Sequence, residues 1–531
     1  MAATLLIGLD GATFSILDPL MQGGVMPFLK RFTDFGTSGE ICSTVPPVTP
    51  QAWTSIMTGC NPGRHGVIDF VRCQERDGEM YFTLYDGRDV RCETIWSMVS
   101  RQNMRAIALN FPMTYPHPPI SGFIVPGLVS WKHLKLGVSP PELYEDLKSI
   151  PDLNYKAMAW DWEKGKKVVY GVNPEEYESW IRFQIERERN WSEVAQYVMR
   201  RDACELTAVL WDGPDKLMHI CWRFLDPAWL PKSPSAWEMK IRELCLEYFH
   251  RLDSYLEEAV TLAGPGARTF IVSDHGFGPS TEIVHINVWL QEQGYLTWRT
   301  PGSEEQGTDA WKRRLHSNFV LLDWERTTAY APTSSRNGIH IRAAGPLGRS
   351  GRLPHYDAFR DELMNKLYGI LDPHTGERIV RRVWKREEVY FGEHMMDAPD
   401  LVLELRDHGF VSIRNSSPAV QARSEVTGTH RPNGIFLAAG AGIRKQARVH
   451  SVSVLDVAST VLHSLGAVVP KDLEGVVVTE AFEPRWLAAN PVRVGAATVP
   501  PWGTRSESNT KKYEEDDEVI LARLRNLGYV E

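Results

Sequence analysis

Short apolar segments recur along the chain, and amphipathic stretches lie between them. Six segments predict buried strands, at residues 5–9, 106–110, 206–211, 269–273, 401–405 and 434–438. Residues 237–262 and 452–465 repeat apolar side chains at helical spacing. Strands that alternate with helices predict an α/β fold, in which a largely parallel sheet is covered on both faces. In such folds, ligands bind beyond the carboxyl ends of the strands.

Two stretches interrupt this alternation. Residues from about 120 to 200 contain Trp131, Trp160, Trp162, Trp180 and Trp191 among charged residues, and residues from about 299 to 355 are rich in Gly, Ser, Arg and Pro. We expect both to be insertions that cap one edge of the sheet. The Trp residues either pack a small subdomain or stack on a substrate ring. The resulting domain prediction is a catalytic domain over 1–480, a linker over 481–512 and an amphipathic helix over 513–531.

Composition narrows the function classes. The chain has 531 residues, of which 43% are hydrophobic and 24% charged, and its formal charge is -8. This acidic balance disfavours a stable nucleic-acid complex. Seven Cys without a CxxC pair indicate a reduced, cytoplasmic protein. No apolar run is long enough for a signal peptide or a membrane span, so we expect no membrane association. The oligomeric state stays open.

Five fragments place metal-ligand side chains or a hydroxyl at a strand end or a helix start. They are LDG, VTPQAW, DGPDKLMH, SDHG and GTH, which supply Asp10, Thr49, Asp215, His219, Asp274, His275 and His430. The i, i+4 spacing of Asp215 and His219 puts both side chains on one helix face, as a shared ion requires. Each fragment alone is weak evidence, but together they predict a metal centre. Mixed Asp and His ligands suit zinc and can also accept manganese.

The order of these fragments resembles the alkaline phosphatase superfamily, specifically its type I phosphodiesterase and nucleotide pyrophosphatase branch. Longer fragments are similar to bacterial members described as phosphohydrolases or phosphomutases: LLIGLDGATF, TPQAWTSIMTGCNPGRHGVIDF, SDHGFGP and TGTHRPNGIFLAAG. The resemblance covers residues from 3 to about 475. It implies an alkaline-phosphatase-like, mainly parallel sheet between helices, with cap insertions.

The resemblance also implies roles for the seven residues. One metal ion would be held by Asp10, Thr49, Asp274 and His275, and a second by Asp215, His219 and His430. Both cofactors would be divalent, Zn²⁺ or alternatively Mn²⁺. Thr49 would attack phosphorus and form a phosphothreonine intermediate. Two divalent ions against three carboxylates leave a net charge of about +1, which suits a small anionic phosphate ester or nucleotide, preferentially a diester.

A second motif, CNPGR from Cys60 to Arg64, matches the CxPxR pattern that resembles sulfatases, whose Cys becomes the nucleophile. The register excludes this reading. In sulfatases the modified Cys lies ten residues before the Gly of a following Thr-Gly pair, and the equivalent Gly here is Gly59. Counting back ten residues gives Thr49 rather than Cys60.

Several alternatives remain open. Nucleotide pyrophosphatases usually carry an Asn three residues after the nucleophile, where this chain has Ala52. This departure weakens the case for nucleotide diesters, and monoesters, phosphonates or phosphoryl transfer within a substrate share the same core. A monoester dianion needs an additional cation, for which Arg64 and residues 336–352 are candidates, although we expect them to be solvated. We expect His65 to be structural. A catalytically silent binding protein is the alternative of another class.

Overall fold

The computed structural model describes residues 3–76, 79–129, 131–159, 174–299, 322–342 and 355–502. The strands are β1 (Thr4–Leu9), β2 (Thr37–Cys42), β3 (Val71–Arg76), β4 (Glu79–Leu84), β5 (Ala106–Leu109), β6 (Gly122–Val125), β7 (Leu206–Trp211), β8 (Arg268–Val272), β9 (Gly276–Val284), β10 (Ala329–Tyr330), β11 (Gly338–Ile341), β12 (Val380–Lys385), β13 (Leu401–Leu405), β14 (Val420–Arg431), β15 (Asn433–Gly440), β16 (Ala447–Arg448), β17 (Val452–Ser453), β18 (Val469–Pro470) and β19 (Val494–Gly495).

The helices are α1 (Phe14–Gln22), α2 (Pro27–Phe35), α3 (Thr49–Thr58), α4 (Pro62–His65), α5 (Ile95–Arg101), α6 (Trp131–Gly137), α7 (Glu142–Lys148), α8 (Tyr155–Met158), α9 (Pro174–Arg201), α10 (Gly213–Leu225), α11 (Ala236–Ala263), α12 (Ile286–Glu292), α13 (Tyr356–Leu367), α14 (Arg386–Val389), α15 (Asp456–Ser464) and α16 (Pro484–Ala489). None of these helices is long and apolar enough to cross a membrane.

The central sheet has nine strands in the order β16-β2-β15-β8-β1-β7-β5-β6, with β17 also paired to β2. Strand β1 lies between β7 and β8 and runs parallel to both. Strand β15 is antiparallel to its two neighbours, β2 and β8. The fold is therefore the mainly parallel sheet between helices that the sequence predicts.

The two faces of this sheet pack against different cores. Successive residues of a strand point to opposite faces, so β1 contributes to both. Leu5, Ile7 and Leu9 belong to the core that also contains residues of α1, α2, α9, α10 and α11. Leu6 belongs to the other core, with residues of α3, α5 and α15. Because both faces of β1 are covered, all six of its residues are buried, as is usual for a central parallel strand.

All six predicted strands are confirmed, but β13 is not part of the central sheet. Strand β13 lies in a separate four-stranded sheet, ordered β10-β11-β13-β12, which has a core of its own. An additional long antiparallel ribbon pairs β9 with β14. The sequence does not predict β14, because its residues are mostly polar. His430 was expected just before a strand; it does precede β15, and it is also part of β14.

The stretches that we expected to be insertions contribute to these sheets and cores. Within residues 120–200, β6 forms one edge of the central sheet and α9 packs along α11. Trp180 and Trp191 are buried in the core that the sheet forms with α1, α2, α10 and α11, so they cannot stack on a substrate. Residues 160 and 162 lie outside the described chain, as do 300–321 and 343–354. The predicted helix over 513–531 also lies outside it.

Candidate active site

Three acidic residues meet at one edge of the central sheet because each follows a neighbouring parallel strand. Asp10 follows β1, Asp274 follows β8, and Asp215 lies in the first turn of α10 after β7. The register aligns Leu9 with Trp211 and Gly8 with Val272, so the three strands end together. This is the edge at which ligands bind in open α/β sheets.

Helix α3 places Thr49 at the same edge. Thr49 is its first residue, and Pro50, which suits the first turn of a helix, follows. Close packing of α3 on β1 requires Gly8, because a Cβ there would lie 2.5 Å from the ring of Trp53. The indole Nε1 of Trp53 donates a hydrogen bond of 3.2 Å to Asp10. In this position of α3, the Oγ1 of Thr49 lies 3.3 Å from Nε2 of His275.

The β9–β14 ribbon adds the last histidine. His430 pairs in register with Phe277, which is two residues after His275. Its Nε2 lies 3.2 Å from Oδ1 of Asp215 and 3.0 Å from Nε2 of His219. Nε2 of His219 is in turn 3.4 Å from the same carboxylate oxygen. The structure therefore brings together all seven residues singled out in the sequence.

Hydrogen bonds to backbone carbonyls fix the tautomers of the three histidines. Nδ1 of His219 lies 3.2 Å from the Gly428 oxygen, Nδ1 of His275 lies 3.0 Å from the Gly276 oxygen, and Nδ1 of His430 lies 2.7 Å from the Pro47 oxygen. A carbonyl only accepts, so each Nδ1 carries the proton. Burial lowers the pKa of His275 and His430, which keeps both neutral. The Nε2 atoms of His275 and His430 therefore direct a lone pair into the cluster.

Two carboxylates of the cluster also have oxygen atoms that are suited to bind a cation. Within the described chain, Oδ1 of Asp10 and Oδ2 of Asp274 are buried and have no hydrogen-bond donor. They lie 3.6 and 3.3 Å from the unprotonated Nε2 of His275. Burial, and then the neighbouring carboxylates, raise the pKa of Asp10 and of Asp274 well above the usual range. Converging lone pairs and buried carboxylates repel one another, and a bound cation would remove that repulsion.

Two overlapping groups of ligand atoms have the compactness of a metal site. Asp10, Asp274 and His275 form one group, and Asp215, His275 and His430 form the other. Within each group, the ligand atoms lie within 4.8 Å of one another. His275 belongs to both, so the two groups are adjacent. This donor set of carboxylates and imidazoles fits divalent zinc or manganese.

A family comparison agrees with this geometry. Residues 4–433 match the family described as Type I phosphodiesterase / nucleotide pyrophosphatase. The chain belongs to this family. It is therefore a phosphoric ester hydrolase of the phosphodiesterase / nucleotide pyrophosphatase type.

Solved structures similar to this phosphodiesterase-family chain have low sequence identity to it. Phosphonoacetate hydrolase from Sinorhizobium meliloti 1021, in complex with phosphonoacetate, is 15% identical, with a TM-score of 0.49; the match covers 88% of this chain and 95% of that one. Murine ectonucleotide pyrophosphatase/phosphodiesterase 5 is 14% identical, with a TM-score of 0.48 and coverage of 88% and 95%.

The sulfatase-like motif of this phosphodiesterase-family member lies away from the metal-ligand cluster. Cys60 follows the opposite end of α3 from Thr49 and is fully buried. A hydrogen bond with Cys92, together with burial, raises the pKa of the Cys60 thiol. A thiol that stays protonated is a poor nucleophile, so the exclusion of Cys60 on register has a physical basis.

Other residues considered in the sequence are held in structural contacts. His65 is buried; its Nδ1 accepts from the Val67 N–H, its Nε2 lies 3.1 Å from Ser55 Oγ, and burial lowers its pKa to about 3. Ala52 is also fully buried. Arg64 is ion-paired with Asp472 at 2.6 Å rather than solvated.

The expectation that the 336–352 stretch is solvated is wrong for Arg336. This residue is buried, and its Nε donates to Asp69 at 3.1 Å. Residues 343–352 lie outside the described chain. The two arginines considered as additional phosphate-binding charges, Arg64 and Arg336, are thus both engaged with carboxylates.

Proposed function

We propose that this chain is a two-metal phosphohydrolase in which Thr49 is the nucleophile. The observation that carries the proposal is the position of the Thr49 hydroxyl, 3.3 Å from His275, beside a cluster of three carboxylates and three imidazoles. A hydroxyl in this environment can lose its proton when divalent cations are bound.

Seven residues would hold the two ions. Asp10, Thr49, Asp274 and His275 would bind one, and Asp215, His219 and His430 the other, with Zn²⁺ as the first choice and Mn²⁺ as the alternative. When bound, the ions would lower the pKa of the Thr49 hydroxyl and offset negative charge on the phosphate.

The chain itself positions the nucleophile and the phosphate. Thr49 is the first residue of α3, and the partial positive charge of a helix N-terminus stabilises an anion there. The Thr49 oxygen forms a bond to phosphorus as the bond to the leaving oxygen breaks. Water then attacks phosphorus, the Thr49–phosphorus bond breaks, and the product phosphate leaves. With a diester substrate, the phosphothreonine still carries the second ester group, and its hydrolysis releases that group as part of a phosphate monoester.

Phosphodiesters are the substrate class that the charges favour. A diester carries one negative charge, which the net charge of about +1 in a metal-loaded site can balance. A monoester dianion needs an additional cation. Arg64 and Arg336 do not supply one, because Asp472 and Asp69 already pair with them. We therefore propose an aryl or nucleotide diester, with weaker activity on monoesters.

Metal analysis followed by a substrate panel tests this proposal. Purified protein should contain zinc or manganese, lose activity on chelation and regain it on addition of the ion. The panel should contain an aryl diester, a dinucleotide, an aryl monoester and an aryl sulfate. The diesters should have the highest kcat/KM. A monoester cleaved at least about tenfold faster would contradict the substrate class, and full activity in confirmed metal-free protein would contradict the mechanism.

A further inference from the structure

A buried arginine from outside the metal-ligand fragments reaches towards the active site. Arg187 lies on α9 and is 1% exposed. Both terminal nitrogens of its guanidinium bond to the carboxylate of Asp212, and the Nη2–Oδ2 distance is 3.1 Å. A bidentate pair of this kind fixes orientation as well as position.

Asp212 occupies the point at which the active-site helix begins. It is the residue immediately before α10, three residues before Asp215. Besides Arg187, its carboxylate accepts a hydrogen bond from Lys216 in the first turn of α10. The amide of Asn110, at the end of β5, donates to the Leu210 carbonyl at 2.9 Å and lies 3.4 Å from Asp212. Groups from α9, α10 and β5 therefore converge on one carboxylate.

The first residue of α10, Gly213, is closely surrounded by side chains of α9 and α11. A Cβ on Gly213 would lie 2.2 Å from Oε1 of Glu188 and 2.2 Å from the hydroxyl of Tyr248. Glu188 comes from α9 and Tyr248 from α11, and both are buried. A side chain here would force the Glu188 carboxylate and the Tyr248 hydroxyl to move, so the start of α10 is closely packed between α9 and α11.

We propose that Arg187 is a positioning residue for the metal site: through Asp212 it fixes the first turn of α10, and with it the carboxylate of Asp215. The inference rests on the proposed function, in which Asp215 is a metal ligand. Asp215 is the third residue of α10, so a shift of the first turn moves its carboxylate relative to His219 and His430. Removal of one partner of a buried ion pair leaves the other charge unpaired and destabilises the fold, so a lowered Tm alone does not reveal this geometric role.

Metal titration of Arg187 variants tests this role. Metal-stripped wild type, Arg187→Lys and Arg187→Met are titrated with zinc in competition with a chromogenic chelator, and Tm is recorded for each metal-free protein. Loss of a residue that orients a metal ligand weakens metal binding by about 10- to 100-fold, so Arg187→Met should weaken one zinc ion by this factor. Arg187→Lys keeps the charge and loses the bidentate geometry, so its loss should be intermediate.

Arg386→Met is the matched control. Arg386 is also a buried arginine paired with an aspartate, Asp400, at 3.0 Å, but its contacts lie beside the four-stranded sheet. Its loss should lower Tm and change zinc affinity less than about threefold.

The outcomes separate the two proposals. Zinc affinities equal to wild type in both Arg187 variants, with Tm lowered as in the control, would overturn the positioning role alone. Absence of zinc and manganese binding to the wild type would overturn the proposed function and this inference with it. If Arg187→Met does not fold, Arg187→Lys and Asp212→Asn decide by the same titration.

Discussion

The two ends of α3 contain two motifs that each suggest a phosphate- or sulfate-ester nucleophile, and they differ in their surroundings. Thr49, at the first residue, lies among six side chains that could hold metal ions. Cys60, just past the last turn, lies next to Cys92 in a fully buried position. The local sequence at the second end matches a known pattern, yet only the first end meets the carboxyl edge of the sheet.

In this fold, the position of a motif relative to the sheet decides its chemistry. The N-terminal end of α3 offers a partial positive charge and faces carboxylates that follow parallel strands. The C-terminal end has the opposite partial charge, and Arg64 beside it is already paired with Asp472. The hydrogen bond with Cys92 and burial outweigh the attraction of Arg64 and raise the pKa of the Cys60 thiol.

The largest expected effect comes from removing the hydroxyl at the first end. Thr49→Ala should lower kcat by at least about 10³-fold, because it removes a covalent nucleophile and one proposed metal contact. The matched control is Thr58→Ala, at the last residue of the same helix, whose hydroxyl only donates to the Thr54 carbonyl at 2.6 Å. That variant should retain wild-type kcat. Equal losses from both variants would remove the distinction between the two ends.

Imidazole truncation has the next largest effect. His430→Ala and His219→Ala should each weaken the binding of the same zinc ion by about 100-fold or more, because the two Nε2 atoms lie 3.0 Å apart and share Asp215. The double variant should then lose little beyond either single variant. Zinc titration measures this. Additive losses in the double variant would place the two histidines on different ions.

The strands and the site residues were predictable because the signals are local. An apolar run that ends in Asp-Gly or Asp-His-Gly indicates both a buried strand and a polar group at its carboxyl end, as β1 with Asp10 and β8 with Asp274 confirm. The pairing of Asp215 with His219 follows from helical spacing alone. Such residues converge whatever the rest of the chain does.

The role of α9 was not predictable, because it depends on burial that only tertiary packing creates. The segment ERERNW around Arg187 has the alternating charges of a solvated helix face, and nothing local distinguishes Arg187 from Arg189. The packing of α9 against α11 and β7 buries Arg187 and leaves Arg189 partly exposed. For the same reason, Trp180 and Trp191 could not be assigned to a core rather than to a substrate site.

A smaller effect is expected from the protons that Asp10 and Asp274 release when zinc binds beside Thr49. Burial raises the pKa of Asp10 and Asp274, so these carboxyls retain protons at a pH where an ordinary Asp is ionised. Zinc must displace those protons. Zinc affinity should therefore rise with pH until these carboxyls are ionised in the metal-free protein, by up to about tenfold per pH unit for each proton released. Calorimetry in buffers of different ionisation enthalpy would show the release, and a pH-independent affinity would contradict it.

The smallest expected effect lies at the second end. Cys60→Ala should leave kcat/KM within about twofold of wild type, because the thiol is buried and away from the proposed nucleophile. Removal of one buried sulfur should lower the free energy of unfolding by about 1 kcal/mol. Kinetics with a diester and with an aryl sulfate, together with a denaturant titration, measure both. A large loss of activity without unfolding would restore Cys60 as a candidate nucleophile.

The stereochemical course at phosphorus reports whether the Thr49 oxygen bonds to phosphorus during hydrolysis. A phosphorothioate diester of one known configuration at phosphorus is hydrolysed in ¹⁸O-labelled water, and the configuration of the product is determined. Attack by Thr49 followed by attack by water inverts phosphorus twice, so the account predicts net retention. Direct attack by water inverts phosphorus once. Net inversion would show that no intermediate forms on Thr49 and would contradict the mechanism.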